Sequence, residues 1–231
     1  MKIVLISDTH GYHKQLGDLS GDVLIHAGDA TPYGTEDQTN QFAQWWNKQE
    51  FEHKVFIPGN HDWLFQRKPD QAHRLFRNTH ILIKGLADVA GLKIFGSSFQ
   101  PYFHGWAFNV HGPEIKQYWD QIPDTVDIVV THCPAFGVHD VVDIASPRVG
   151  CPYLAERLKD VNFRLHVCGH IHESRGASGG VVTDSGQSPM RINAACQDMY
   201  HPRLRGPFVV TVTDGLYMVE DTNLRHELRD E

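Results

Sequence analysis

Short apolar segments that stop at ligand-type residues constrain this chain more than any other feature. Residues 2–7 lead into Asp8 and His10, and residues 22–27 into Asp29. Residues 53–57 are stopped by Pro58-Gly59 and followed by Asn60, His61 and Asp62. Residues 126–131 lead into His132, and residues 164–168 into His170 and His172. Runs of this length, bounded by Gly and Pro, read as buried strands. Further strand-like runs lie at 80–84 and 92–96, and late in the chain they crowd together at 181–183, 191–195, 208–212 and 216–219.

Helical stretches separate the early runs. In residues 36–49, Phe42, Trp45 and Trp46 recur at i, i+3 and i+4 and predict an amphipathic helix whose tryptophans pack on a sheet. Residues 71–76, 113–121 and 151–159 are shorter candidates, with Pro113 suited to a first helical turn. Strands alternating with helices, then consecutive strands, describe an α/β protein with a more antiparallel late section. The Gly- and Ser-rich stretch 177–189 reads as a hairpin loop. Residues 1–220 are expected to form a single domain, and residues 221–231 a charged, solvated tail.

The chain has 231 residues, 41% of them hydrophobic, enough for a substantial core. No apolar run is long enough to span a membrane, and the first one is interrupted at Ser7-Asp8, too early for an export signal. The four cysteines form no C-x-x-C pair, so free thiols and a cytoplasmic location are expected. A net charge of −7 without a basic cluster argues against binding along duplex nucleic acid. Histidine is abundant, at 16 residues, and it is the side chain most often recruited to bind metals and move protons.

Strand geometry gives the spacings meaning. Residues i and i+2 of an extended segment point the same way, so Asp8 and His10 can reach one ion. His170 and His172 share that relationship across a rise of ~6.5 Å, which suits one ion or two neighbouring ones. Parallel strands would carry all five sets to one rim, outside their carboxyl ends. Gly28, Gly59 and Gly169 precede ligand-type residues where the chain turns sharply.

In the order D-x-H, G-D, G-N-H-D, T-H and G-H-x-H, these motifs resemble the calcineurin-like metallophosphoesterase superfamily. "WAFN" at 106–109, "GC" at 150–151, "RLHVCGHIHE" at 164–173 and "INAA" at 192–195 are similar to its metallophosphoesterase-domain-containing group. That group commonly has H-G-P-P where this chain has His132-Cys133-Pro134-Ala135.

The resemblance implies a four-layer α/β/β/α sandwich with two divalent ions. Asp8, His10, Asp29 and His172 would hold one ion. Asp29 would bridge to the second, completed by Asn60, His132 and His170. Carboxylate and amide oxygens mixed with imidazoles suit Mn²⁺ first, with Fe, Zn²⁺ or a mixed pair as alternatives. Two divalent ions less two carboxylates and a bridging hydroxide leave a net positive field for a phosphate. The expected reaction is attack of that metal-bridging hydroxide on a small phosphodiester or phosphomonoester, with nucleotides or cyclic nucleotides the leading guess.

His61, beside a ligand but outside the ligand set, is expected to protonate the leaving oxygen or stabilise phosphoryl charge. Asp62 would orient His61 or a ligand, or cap the turn. His26, His53, His80 and His166 read as packed side chains. The loop 97–113, with Tyr102, His104, Trp106 and His111, is a candidate substrate wall, and Arg148 a candidate phosphate contact. Cys133 has no separate histidine to activate it as a nucleophile. The competing readings are a non-catalytic metal-binding interaction scaffold of the same fold, or a nuclease.

Overall fold

Alternate residues of the inner strands enter different cores, and that alternation lays out the architecture. The computed structural model describes residues 1–143, 147–183, 186–198, 201 and 203–223, so most of the expected tail lies outside it. In chain order the strands are β1 (Lys2–Ile6), β2 (Val23–His26), β3 (His53–Phe56), β4 (His80–Ile81), β5 (Lys84–Val89) and β6 (Leu92–Ser97). Then come β7 (Gln100–Pro101), β8 (Asn109–Val110), β9 (Ile128–Thr131), β10 (Leu165–Cys168) and β11 (Gly176–Gly179). β12 (Val182–Thr183), β13 (Gly186–Gln187), β14 (Met190–Asn193), β15 (Phe208–Thr213) and β16 (Leu216–Asp221) follow.

One sheet has the order β16-β15-β1-β2-β3-β4 and the other β11-β14-β10-β9-β6-β5. In the first, β1 to β4 run parallel, while β15 and β16 add an antiparallel edge. In the second, β6, β9, β10 and β14 run parallel between the antiparallel β5 and β11.

Ile3 and Leu5 of β1 join Ile128 and Val130 of β9 and Leu165 and Val167 of β10 in a core between the sheets. Val4 and Ile6 face the other way, onto Phe42 and Trp46 of the helix α1 (Glu36–Lys48). The helices α2 (Trp63–Arg67) and α3 (Pro69–Leu75) cover the same face. Phe95 and Val129 point outward from the second sheet into a third core, closed by α4 (Lys116–Trp119) and α5 (Pro152–Arg157). The layers are therefore α/β/β/α, as the resemblance implied. Strands buried on both faces explain the continuous apolar runs in the sequence. Each fully buried Ile, Leu or Val there contributes about 1.5–3 kcal/mol.

α1 matches the expected helix to within a residue. Thr35 accepts a hydrogen bond from the Gln38 amide at its start, and Glu36 and Asp37 complement the dipole. At its other end the buried Lys54 ammonium donates to the carbonyls of Trp46 (3.2 Å) and Gln49 (3.4 Å).

Several elements differ from the sequence reading. The run 80–84 is not one strand, because β4 ends at Ile81 in one sheet and β5 starts at Lys84 in the other. Gly85 and Asp88 hide β5 from a search for apolar runs. The Gly- and Ser-rich stretch carries β11, paired with β14, as well as the β12–β13 hairpin. Pro113 does open a turn, but a 3₁₀ turn over Gly112–Ile115 precedes the short α4. His26 and His166 are buried as expected, whereas His53 is half-buried and His80 exposed. No helix among the described residues is long and apolar enough to cross a membrane. All four cysteines are free thiols.

Candidate metal centre

The five strand ends meet at a rim shared by the two sheets. β1, β2 and β3 bring Asp8, His10, Asp29, Asn60 and His61 from the first sheet, and β9 and β10 bring His132, His170 and His172 from the second. Expecting parallel strands to serve a single rim was right in direction but missed this division. Backbone bonds lace the ends together: the Asp8 amide donates to the Gly28 carbonyl (2.8 Å), and the Gly169 amide to the His132 carbonyl (3.0 Å).

The local backbone is unusual. Asp8, His10, Asp29 and His170 have φ of 53°, 40°, 57° and 68°, a left-handed conformation that non-glycine residues rarely adopt. Such strain costs on the order of 1–3 kcal/mol per residue and collects where side chains must be aimed. The glycines make room for it. A Cβ on Gly59 would lie 2.3 Å from Asp29 Oδ1, and one on Gly28 2.3 Å from His132 Nδ1.

The side chains form two adjoining groups. In one, His172 Nε2 lies 3.2 Å from Asp8 Oδ1 and 3.3 Å from His10 Nε2. In the other, His132 Nε2 lies 2.8 Å from Asn60 Oδ1 and 3.3 Å from Asp29 Oδ2, with His170 completing the set. Asp29 stands between them, its Oδ2 also 3.7 Å from His10 Nε2. This donor set fits divalent cations. Imidazole nitrogens from both sheets lie near each other and near the two carboxylates of the first sheet, and each group offers at least three donors within 4.8 Å. A third combination, His10, Asp29 and His61, meets the same criterion.

Supporting hydrogen bonds hold the donors. His132 Nδ1 faces the Ala27 carbonyl at 2.9 Å, which assigns its proton there and frees Nε2. The His170 amide donates to both Asp8 oxygens, at 3.1 and 3.0 Å. Asp62 is fully buried, and its hydrogen bonds go to partners other than the His61 ring. It accepts from the amides of Gly59 (2.9 Å), Ala30 (3.2 Å) and Thr31 (3.1 Å) and from the Thr31 hydroxyl (2.9 Å). It therefore ties the Asp29 loop to the Asn60 loop. Buried His26 likewise accepts from the Gly28 amide at 3.1 Å.

Burial alone would push both Asp8 and Asp29 up. The His172 hydrogen bond and charge at Asp8, and the His132 charge and hydrogen bond at Asp29, hold both carboxyls well below their ordinary range. Burial lowers His10 to about 4 and His170 to about 3, keeping both neutral and able to donate a lone pair. His132 goes the other way, to about 9, because the Asp29 and Asp8 charges outweigh burial. A cation bound there would take the place of that proton.

A cavity of about 440 Å³ opens over the donors. His10, Asp29, Asn60, His61, His170 and His172 form its floor, while Asp8 and His132 lie fully buried beneath. Its walls include Tyr102, Phe103, Trp106, Val142, Val149 and Ile171. The loop 97–113 thus contributes Tyr102 and Trp106, whereas His111 stacks behind Tyr102 (centroids 4.1 Å apart) and His104 faces outside. Arg148 does not line the cavity, because it is paired with Asp140 Oδ1 at 2.6 Å. Cys133 also lines the cavity but is almost fully buried, and that burial pushes its thiol well up, which disfavours the nucleophilic thiolate. Val142 and Val149 carried no signal in the sequence, while Phe103 lay unnamed within the candidate loop 97–113 and Ile171 within the motif at 164–173. Glu173, also on the wall, was visible only as the last letter of a quoted motif.

The family model for calcineurin-like phosphoesterase matches residues 1–174, which contain every donor named above. Human metallophosphoesterase domain-containing protein 1 is 34% identical over 218 residues, covering 83% of this chain and 67% of that protein. A Caenorhabditis elegans protein of the UPF0046 group is 30% identical over 210 residues, covering 77% of this chain and 53% of that protein. A solved crystal structure superposes with a TM-score of 0.67 over 95% of this chain and 98% of its own, at 15% identity, a likeness of fold. With its family motifs gathered at one rim, this chain belongs to the calcineurin-like phosphoesterase family.

Proposed function

We propose that this chain is a metal-dependent hydrolase of a small phosphodiester or phosphomonoester, working through one domain that spans residues 1–220. The observation that carries this reading is the convergence of Asp8, His10, Asp29, Asn60, His132, His170 and His172 under one cavity, with His61 beside them on its lining. Asp8, His10, Asp29 and His172 would hold one divalent ion. Asn60, His132 and His170, with Asp29 shared, would hold a second, with Mn²⁺ the leading candidate. Such ions supply positive charge for a phosphoryl oxygen and lower the pKa of bound water.

The chain's own groups supply the rest. The His61 ring is fixed by Nδ1, 2.6 Å from the Pro32 carbonyl, so Nε2 faces the cavity and can pass a proton to a leaving oxygen. The Asp62 bonds keep the loops of Asp29 and Asn60 in register. Aromatic walls favour an ester with an apolar or planar group and exclude water around it. Among the described residues no Lys or Arg lines the cavity, which supports a small ester over a nucleic-acid strand.

The reading is tested by hydrolysis of bis-p-nitrophenyl phosphate and p-nitrophenyl phosphate by protein stripped with chelator and reloaded with Mn²⁺. Hydrolysis that returns only with metal supports it. Equal turnover with and without metal overturns it.

A further inference from the structure

We propose that Glu173 sets the charge selectivity of the cavity, disfavouring ligands that carry a second negative charge. This inference builds on the proposal that the cavity takes phosphate esters. Three observations support it. First, the wall is largely aromatic and aliphatic, and no Lys or Arg among the described residues lines it. Second, the nearby arginines are committed elsewhere. Arg148 pairs with Asp140, Arg175 with Asp221 (2.7 Å), and an Arg205 nitrogen donates to the carbonyls of His172 and Gln197. Third, Glu173 is exposed on that wall directly after His172.

The consequence is electrostatic. A phosphate monoester is mostly a dianion above its second pKa of about 6, whereas a diester stays a monoanion. Positive charge at the cavity floor can neutralise the phosphoryl oxygens nearest to it. Any further negative charge must project towards the wall, where it meets a carboxylate and no cation. Because Glu173 is exposed, solvent screens that repulsion in part and keeps its expected effect on a monoanion to a few-fold. Coulomb energy scales with ligand charge, so Glu173 should penalise a dianion by about the square of the factor it imposes on a monoanion.

Binding tests this apart from catalysis. The probes are diphenyl phosphate, a monoanion, and phenyl phosphate, a dianion at about pH 8, titrated calorimetrically into metal-loaded protein. The proteins compared are the parent, Glu173→Asp, Glu173→Gln and Glu173→Lys, each with its metal content measured. Glu173→Gln should tighten diphenyl phosphate roughly threefold and phenyl phosphate roughly tenfold. Glu173→Lys should exceed both gains, and Glu173→Asp should stay near the parent. Equal gains for the two ligands, no gain, or failure of the parent to bind either one would overturn the proposal. So would metal loss in Glu173→Gln, since the carboxylate would then belong to the metal cluster. A protein that binds the esters in this charge order but hydrolyses neither keeps the selectivity and overturns the hydrolase reading instead.

Discussion

The imidazole of His61 lies against the indole of Trp106, with ring centroids 4.0 Å apart and planes inclined by 37°. His10 meets the same ring edge-on at 4.7 Å, and the Pro32 carbonyl holds its Nδ1. The ring is therefore confined on three sides with Nε2 directed at the cavity. His61→Ala should keep its metal and lose roughly 10²–10⁴ in turnover. The loss should grow with leaving-group pKa, because p-nitrophenolate needs little protonation and an alkyl oxygen needs much. Trp106→Ala should give a smaller loss with the same dependence. Rates across a graded ester series check both, and a uniform loss would assign His61 to charge stabilisation.

Asp62 holds the two loops that carry Asp29 and Asn60. Asp62→Ala would leave the buried amides of Gly59, Ala30 and Thr31 without acceptors. At about 1–3 kcal/mol for each unsatisfied group, the variant should lose roughly 3 kcal/mol or more. Asp62→Asn, which keeps one acceptor oxygen, should lose less. Denaturant unfolding measures this, and a change under about 1 kcal/mol in Asp62→Ala would show that the loops do not depend on it.

Gly59 is needed for space rather than for backbone freedom. Its φ is not positive, yet an added Cβ would fall 2.3 Å from both the Asp29 amide nitrogen and Oδ1. Gly59→Ala should therefore move Asp29 and weaken metal binding by at least tenfold, or about 1.4 kcal/mol. Isothermal metal titration checks it. Unchanged affinity would mean that the loop relaxes freely.

The sequence pointed to the candidate donors because strands buried on both faces write themselves as apolar runs, and each run stops where the chain must turn to aim a side chain. It revealed the crowding glycines for the same reason. It did not reveal that Asp8, His10, Asp29 and His170 turn with left-handed backbones, since none is a glycine. The 3.3 Å approach of His10 and His172, 162 residues apart in sequence, depends on how the two sheets pack. Arg148 looked available because spacing alone does not show that Asp140 neutralises it. The walls at Val142 and Val149 come from a loop whose apolar residues look like any others.

Acid should weaken the fold through a buried histidine outside the donor set. His166 is buried, its Nε2 2.9 Å from the Thr131 hydroxyl, and burial lowers its pKa to about 3, against the ordinary 6.5. Between those values the unfolded chain binds the proton and the folded chain does not. Stability is therefore intact above about pH 6.5 and falls as pH drops towards 3, by up to about 1.4 kcal/mol per pH unit from this residue. His166→Gln should flatten that part of the profile, as read from urea midpoints across the range. An unchanged slope would place the proton uptake elsewhere.

The central claim is that Asp29 joins two cation sites. Its most direct measurement is a titration of Mn²⁺ into chelator-stripped protein, comparing the parent with Asp29→Asn and His132→Ala. Two equivalents are expected in the parent, weakening of both in Asp29→Asn, and loss of mainly one in His132→Ala. A single equivalent in the parent, or identical stoichiometry and affinity in Asp29→Asn and the parent, would contradict it.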